Sequence, residues 1–150
     1  MPRFEEEIII KASADAVYDL IADSRNLQEM LPGFEIKILE TGEDYRICDC
    51  RLKTEKETFK WTHRENFDPE LLSIDYALVE GDWDHFNTWW KIIPAQEECE
   101  LIFQSEIAPK NNGIMTYLTW PFFKKKMNRL CLGMIQSVKD RLELSYGQSS

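Results

Sequence analysis

The sequence predicts an α+β fold, on three observations. Between Phe34 and Ile107, apolar and polar residues alternate in segments set off by turn residues at roughly ten-residue spacing, the mark of half-buried antiparallel strands. Between Thr119 and Leu144 the apolar residues recur instead at steps of three and four: Phe123, Met127, Leu130, Met134, Val138 and Leu142 form one helical stripe. Between Ser13 and Leu31, two short apolar stripes predict two short helices. Strands grouped together with helices held apart give a sheet with helices on one face.

Each element has a local reason. Arg3 to Lys11 reads as a first strand, buried on both faces toward its end by Ile8, Ile9 and Ile10. Ser13 is the N-cap of the first helix, which carries Val17, Leu20 and Ile21, and Asp15 suits its dipole. Leu27, Met30 and Leu31 mark the second helix, stopped by Pro32-Gly33. Strands follow from Phe34 to Ile38, Tyr45 to Lys53, Thr58 to Asn66, Leu72 to Leu78, Trp83 to Ile93 and Cys99 to Ile107. Their turns are Thr41 to Asp44, Glu55 to Glu57, Asp68-Pro69-Glu70, Glu80-Gly81-Asp82 and Pro94 to Glu97, with a loop from Ala108 to Gly113. The long helix is expected to start at Thr119 as N-cap, with Pro121 in its first turn, where a missing N–H is harmless.

A length of 150 residues suits one domain spanning 1–150. The net charge of −9 argues against a nucleic-acid partner, because phosphate contact needs clustered Lys and Arg. The four cysteines, Cys48, Cys50, Cys99 and Cys131, form no C-x-x-C pair and read as free, buried thiols of a reducing compartment. No signal-peptide pattern precedes the acidic run Glu5 to Glu7, and no apolar run has a membrane-spanning length, so a cytoplasmic location is expected. No cofactor motif is present: the glycines are scattered singly, and neither histidine, His63 nor His85, has metal-ligand spacing. No nucleophile elbow or Cys–His pairing points to a catalytic residue.

The order of elements and certain residues resemble the START-like superfamily, also called SRPBCC. The opening IIKASADAVYDLIAD, Ile9 to Asp23, is similar to the strand-to-helix start of such domains. The stretch from Arg64 through Asp68-Pro69-Glu70, Ile74 and Val79-Glu80-Gly81 to Trp90-Lys91-Ile92-Ile93-Pro94 resembles the polyketide cyclase and coenzyme Q-binding branch. The resemblance implies a helix-grip: a curved antiparallel sheet of about seven strands wrapped around the long C-terminal helix, with an apolar cavity between them. It implies binding or carriage of a hydrophobic small molecule there, lipid, isoprenoid quinone or aromatic polyketide-like. The alternatives are a polyketide cyclase or aromatase of dehydratase type working in the same cavity, and an interaction protein with a filled core.

Within that frame the aromatic residues acquire a candidate role. Small-molecule pockets are mostly apolar and aromatic with a few placed polar groups. Trp90 and Tyr76, then Trp61 and Phe103, are the expected cavity residues of the sheet; Phe123, Met127, Leu130, Cys131 and Met134 are those of the helix. Alternation puts Phe86, Trp90 and Ile92 on one strand face, and Trp83, His85 and Trp89 on the other. Arg64, as in cyclase relatives, and His63 are the candidate polar site, although alternation sets them on opposite faces. Gly133, mid-helix, is read as making room for close helix–sheet packing or for a ligand. Trp120, Phe122, Lys124, Lys125 and Lys126 combine aromatics with lysines, a mixture suited to transient membrane contact.

Overall fold

Seven strands form one antiparallel sheet in the order β1-β7-β6-β5-β4-β3-β2. The computed structural model describes residues 3–55, 57–110 and 114–148, and within the last helix the side chains of 121–144. The chain runs β1 (Arg3–Ile10), α1 (Ala14–Ala22), α2 (Ser24–Met30), β2 (Phe34–Thr41), β3 (Tyr45–Lys53), β4 (Thr58–Asp68), β5 (Ser73–Gly81), β6 (Trp83–Pro94), β7 (Cys99–Pro109) and α3 (Ile114–Gln148). This is the curved sheet, two short helices and long C-terminal helix of a helix-grip.

The caps act as their residue types predict. Ser13 Oγ accepts from Ala16 N at 3.2 Å at the start of α1. Asp23, between α1 and α2, accepts from Arg25 N at 3.0 Å, and the Arg25 guanidinium holds its carboxyl below its ordinary range. Gly33 then turns the chain into β2 at φ +82°; a β-carbon there would lie 2.3 Å from the Lys53 carbonyl oxygen. Strand alternation places one face of the sheet inward. Cys48, Cys50 and Leu52 of β3, Phe59, Trp61, His63 and Glu65 of β4, and Leu101, Phe103, Ser105 and Ile107 of β7 are all buried. Met127, Cys131, Met134, Ile135 and Val138 of α3 are buried on the helix side.

Four expectations need correction. Ile9 is 49% exposed, because β1 is an edge strand with only its inner face covered. Helix α3 begins at Ile114, so Thr119 is not its N-cap and Pro121 lies inside it. Proline cannot donate to the carbonyl four residues back, so one rung of the helix ladder is missing just before the buried stripe begins. Trp83 lies on the inner face, at 2% exposure, because a register shift between Trp83 and His85 inserts a residue and reverses the alternation. Gly133 faces solvent with nothing within 4 Å of a β-carbon built on it, so it makes room for neither sheet nor ligand. Gly133→Ala is therefore expected to stabilise the protein by about 0.4–1 kcal/mol, read as a higher urea midpoint at unchanged slope.

Candidate functional site

A cavity of about 110 Å³ lies between the inner face of the sheet and α3. Trp61, His63, Tyr76, Trp90 and Phe103 line it from the sheet, and Met127, Leu130, Cys131 and Met134 from α3. The α2 segment adds Leu27 and Leu31, followed by Phe34. Its volume is below the roughly 300 Å³ at which drug-sized ligand pockets begin. It is comparable to the roughly 150 Å³ apolar cavity that accepts benzene. The space is on the scale of one ring, and a long folded chain does not fit unless the walls move.

Across the cavity's sheet wall runs a row of polar side chains set by strand register. Arg46 stands opposite Glu65, Glu65 opposite Tyr76, Tyr76 opposite Thr88, and Thr88 opposite Ser105. Neighbouring strands are about 4.8 Å apart, so each strand from β3 to β7 contributes one polar group at that interval. Beside the row, Ile74, Trp90 and Phe103 form an apolar one, again as cross-strand partners. The Trp90 and Phe103 rings are 4.5 Å apart.

One end of the row is an ionic network. Glu65, 1% exposed, receives Arg46 Nη2 at 2.9 Å and Nε at 3.0 Å on one oxygen, and faces His63 Nε2 at 3.1 Å with the other. The same guanidinium donates to the Ala22 carbonyl at the end of α1 and lies over the Phe67 ring. His63 Nδ1 accepts the Trp61 indole N–H at 3.0 Å. These partners assign the imidazole proton to Nε2, where it donates to Glu65. Toward the middle, the Tyr76 hydroxyl accepts from Trp90 Nε1 at 3.1 Å. Burial, and then the Glu65 charge, push the Tyr76 hydroxyl well above the usual tyrosine range. At the far end Thr88 and Ser105 share a hydrogen bond of 2.7 Å.

Cys48, His63 and Glu65 bring ligand atoms within 4.8 Å of one another, residue types that can hold a soft divalent ion. Their arrangement serves a different end. An ion at Nε2 would need the proton moved to Nδ1, where it would meet the Trp61 N–H head on. Arg46 already neutralises the carboxylate, and burial, with Glu65 beside it, pushes the Cys48 thiol up to about 12. Burial does the same to Cys131, also to about 12, so neither thiol is a ready nucleophile.

Two of the sequence-predicted site residues lie away from the cavity. Arg64 is exposed on the outer face of β4, its guanidinium 4.0 Å from the Tyr45 ring centre and its Nε bonded to Asn66 at 2.8 Å. Phe123 packs edge-on against Phe59 at 5.5 Å, beyond the cavity's lining. At the same end of α3, Phe122 is 71% exposed, Lys124 and Lys125 are exposed, and Lys126 is 4.0 Å from Glu55; the Trp120 side chain lies outside the described residues. No helix among the described residues is long and apolar enough to cross a membrane. Sequence reasoning missed Arg46, Glu65, Thr88 and Ser105. The signal was there: alternation through YRICDCRLK and TFKWTHRENFD sets Arg46 with Cys48 and Leu52, and Glu65 with Phe59 and Trp61. A larger groove of about 860 Å³ crosses the outer surface, but Lys37, Arg51 and Lys60 mix there with Glu35, Asp49 and Glu80, so it favours neither an apolar molecule nor one sign of charge.

The family model described as polyketide cyclase / dehydrase and lipid transport matches residues 10–133. Among solved structures, a protein of Thermus thermophilus superposes with a TM-score of 0.84 at 19% identity, covering 96% of this chain and 99% of that one. The Zhui aromatase/cyclase of Streptomyces sp. R1128 gives 0.82 at 20% identity, with 94% and 93% covered. A START superfamily protein from Mycobacterium smegmatis gives 0.68 at 16% identity, with 95% and 97% covered. At these identities the likeness is one of fold. No curated protein sequence matches the chain.

Proposed function

The chain belongs to the polyketide cyclase / dehydrase and lipid transport family, and from that premise we propose that it binds and carries a compact hydrophobic molecule, without chemistry, in the cavity between sheet and α3. The observation that carries this is an aromatic-walled cavity whose histidine is already engaged. A general base needs a free lone pair facing its substrate. His63 has none, since Trp61 occupies Nδ1 and the Nε2 proton is given to Glu65. The small volume favours a single ring, or the ring end of a longer molecule.

Cyclisation of a polyketide chain is the second reading, supported by the buried His63–Glu65 pair close to Tyr76, whose ring is 5.1 Å from that of His63. Native mass spectrometry of freshly purified protein, followed by solvent extraction, separates the two. Carriage predicts a bound neutral apolar compound recovered with unchanged mass. A cyclase predicts that an offered poly-β-ketone is returned lighter by water. No bound mass, and no thermal stabilisation by quinones or aromatic ketones, would leave a filled-core interaction protein and refute both.

A further inference from the structure

Helix α3 has a second face that neither the core nor the cavity uses. Phe122, Lys125, Arg129, Leu132 and Gln136 follow one another at steps of three and four, and all are exposed. They run along the side of the helix opposite Met127, Cys131, Met134 and Val138, which are buried. Phe122 is 71% exposed and Leu132 41%. These two apolar side chains stand about 15 Å apart along the helix, with both cations between them. No ion pair among the described residues engages Lys125 or Arg129, whereas Lys126, on the flank, lies 4.0 Å from Glu55.

Charge is as unevenly placed along the chain. Between Glu106 and Asp140 stand six cations and no acidic residue, in a chain whose net charge is −9. An anionic surface is therefore repelled by most of the molecule and attracted at this face, which fixes the direction of approach. A soluble polyanion would use Lys125 and Arg129 but would gain nothing from Phe122 and Leu132. A bilayer takes up both kinds, the cations among anionic headgroups and the apolar side chains at the acyl boundary beneath. We infer that the outer face of α3 from Phe122 to Leu132 docks on the surface of an anionic lipid bilayer. Docking leaves the buried face of the helix in place, so the inference stands whether or not the cavity carries a guest.

Sedimentation of the full chain with vesicles tests it. Vesicles of phosphatidylcholine with roughly a third phosphatidylserine are expected to carry the protein down at low salt, and phosphatidylcholine alone to leave it in solution. Lys125→Glu with Arg129→Glu is expected to weaken partitioning about thirtyfold, the worth of two cations at a charged membrane. Phe122→Ser with Leu132→Ser is expected to weaken it about tenfold. Lys37→Glu with Lys91→Glu makes the same change of charge at exposed positions on the outer face of the sheet, and is expected to leave partitioning within about twofold of wild type. The substituted side chains are all exposed, so thermal melts are expected to show each variant folded. No sedimentation with the anionic vesicles, an equal loss in the sheet variant, or partitioning undiminished by either α3 variant overturns the inference. If the serine variant alone is undiminished and duplex DNA binds as well, the face serves soluble polyanions and the bilayer is ruled out. Each of these results leaves the cavity reading standing.

Discussion

Glu65→Ala lowers the unfolding free energy by about 3–5 kcal/mol. The Glu65 side chain is 2% exposed and that of Arg46 18%, so the pair sits largely out of water. Removing the carboxylate takes from the guanidinium its paired charge and leaves it the Ala22 carbonyl, the Phe67 ring and the more distant Asp23 carboxylate. It also strips the His63 Nε2 proton of its acceptor. A buried ion without its partner retains its desolvation penalty and loses the attraction that offset it. The double replacement Arg46→Met with Glu65→Leu is expected to recover most of the loss, because no uncompensated charge remains. Urea titration of wild type, single and double variants measures both effects. A single-variant loss under about 1 kcal/mol would mean that the pair behaves as a solvated surface bridge.

Gly81→Ala destabilises the protein by about 4 kcal/mol or more, enough to lower the melting temperature by about 10 °C. Gly81 ends β5 at φ +131°, a backbone conformation that residues with a β-carbon rarely adopt. The added carbon would lie 2.4 Å from Trp61 Cα and 2.6 Å from the Lys60 carbonyl oxygen. Both are backbone atoms, so no rotamer change relieves the collision. Asp82 N also donates to that Lys60 oxygen at 2.9 Å, tying the turn to β4 at the same point. The opposite sign expected at Gly133 is the control for an alanine effect as such. A melting temperature within a few degrees of wild type would show that β4 and β5 can part locally.

The fold was legible because its signals are local. Period-two alternation in YRICDCRLK marked β3 at its observed ends, Tyr45 and Lys53, and Ser13 capped α1 as its type predicts. The errors have local causes too. Thr119 and Pro121 carry a helix-start pattern that the rest of α3 overrides, since the helix already runs from Ile114. The alternation through β6 failed at Trp83 because one bulge residue inverts every side chain beyond it. In the site, the apolar wall was readable, because aromatic density and helical stripe each follow from one segment. The polar row was not, because Arg46, Glu65, Tyr76, Thr88 and Ser105 come from five strands and meet only through register. Arg64 drew attention through its likeness to an arginine of cyclase relatives, whereas the inward-facing, half-buried cation is Arg46, recognisable once a carboxylate is seen on the same inward face.

Register also bears on how such a protein changes over generations. The ladder bonds that hold β3 to β7 together belong to the backbone, while the row's chemistry belongs to one side chain per strand. Substitution at Tyr76, Thr88 or Ser105 changes the polar face that the sheet presents to the cavity and leaves every ladder bond in place. The chemistry of the cavity wall is thus inherited in separate, exchangeable letters, and a lineage can change it by single steps while its architecture stands still.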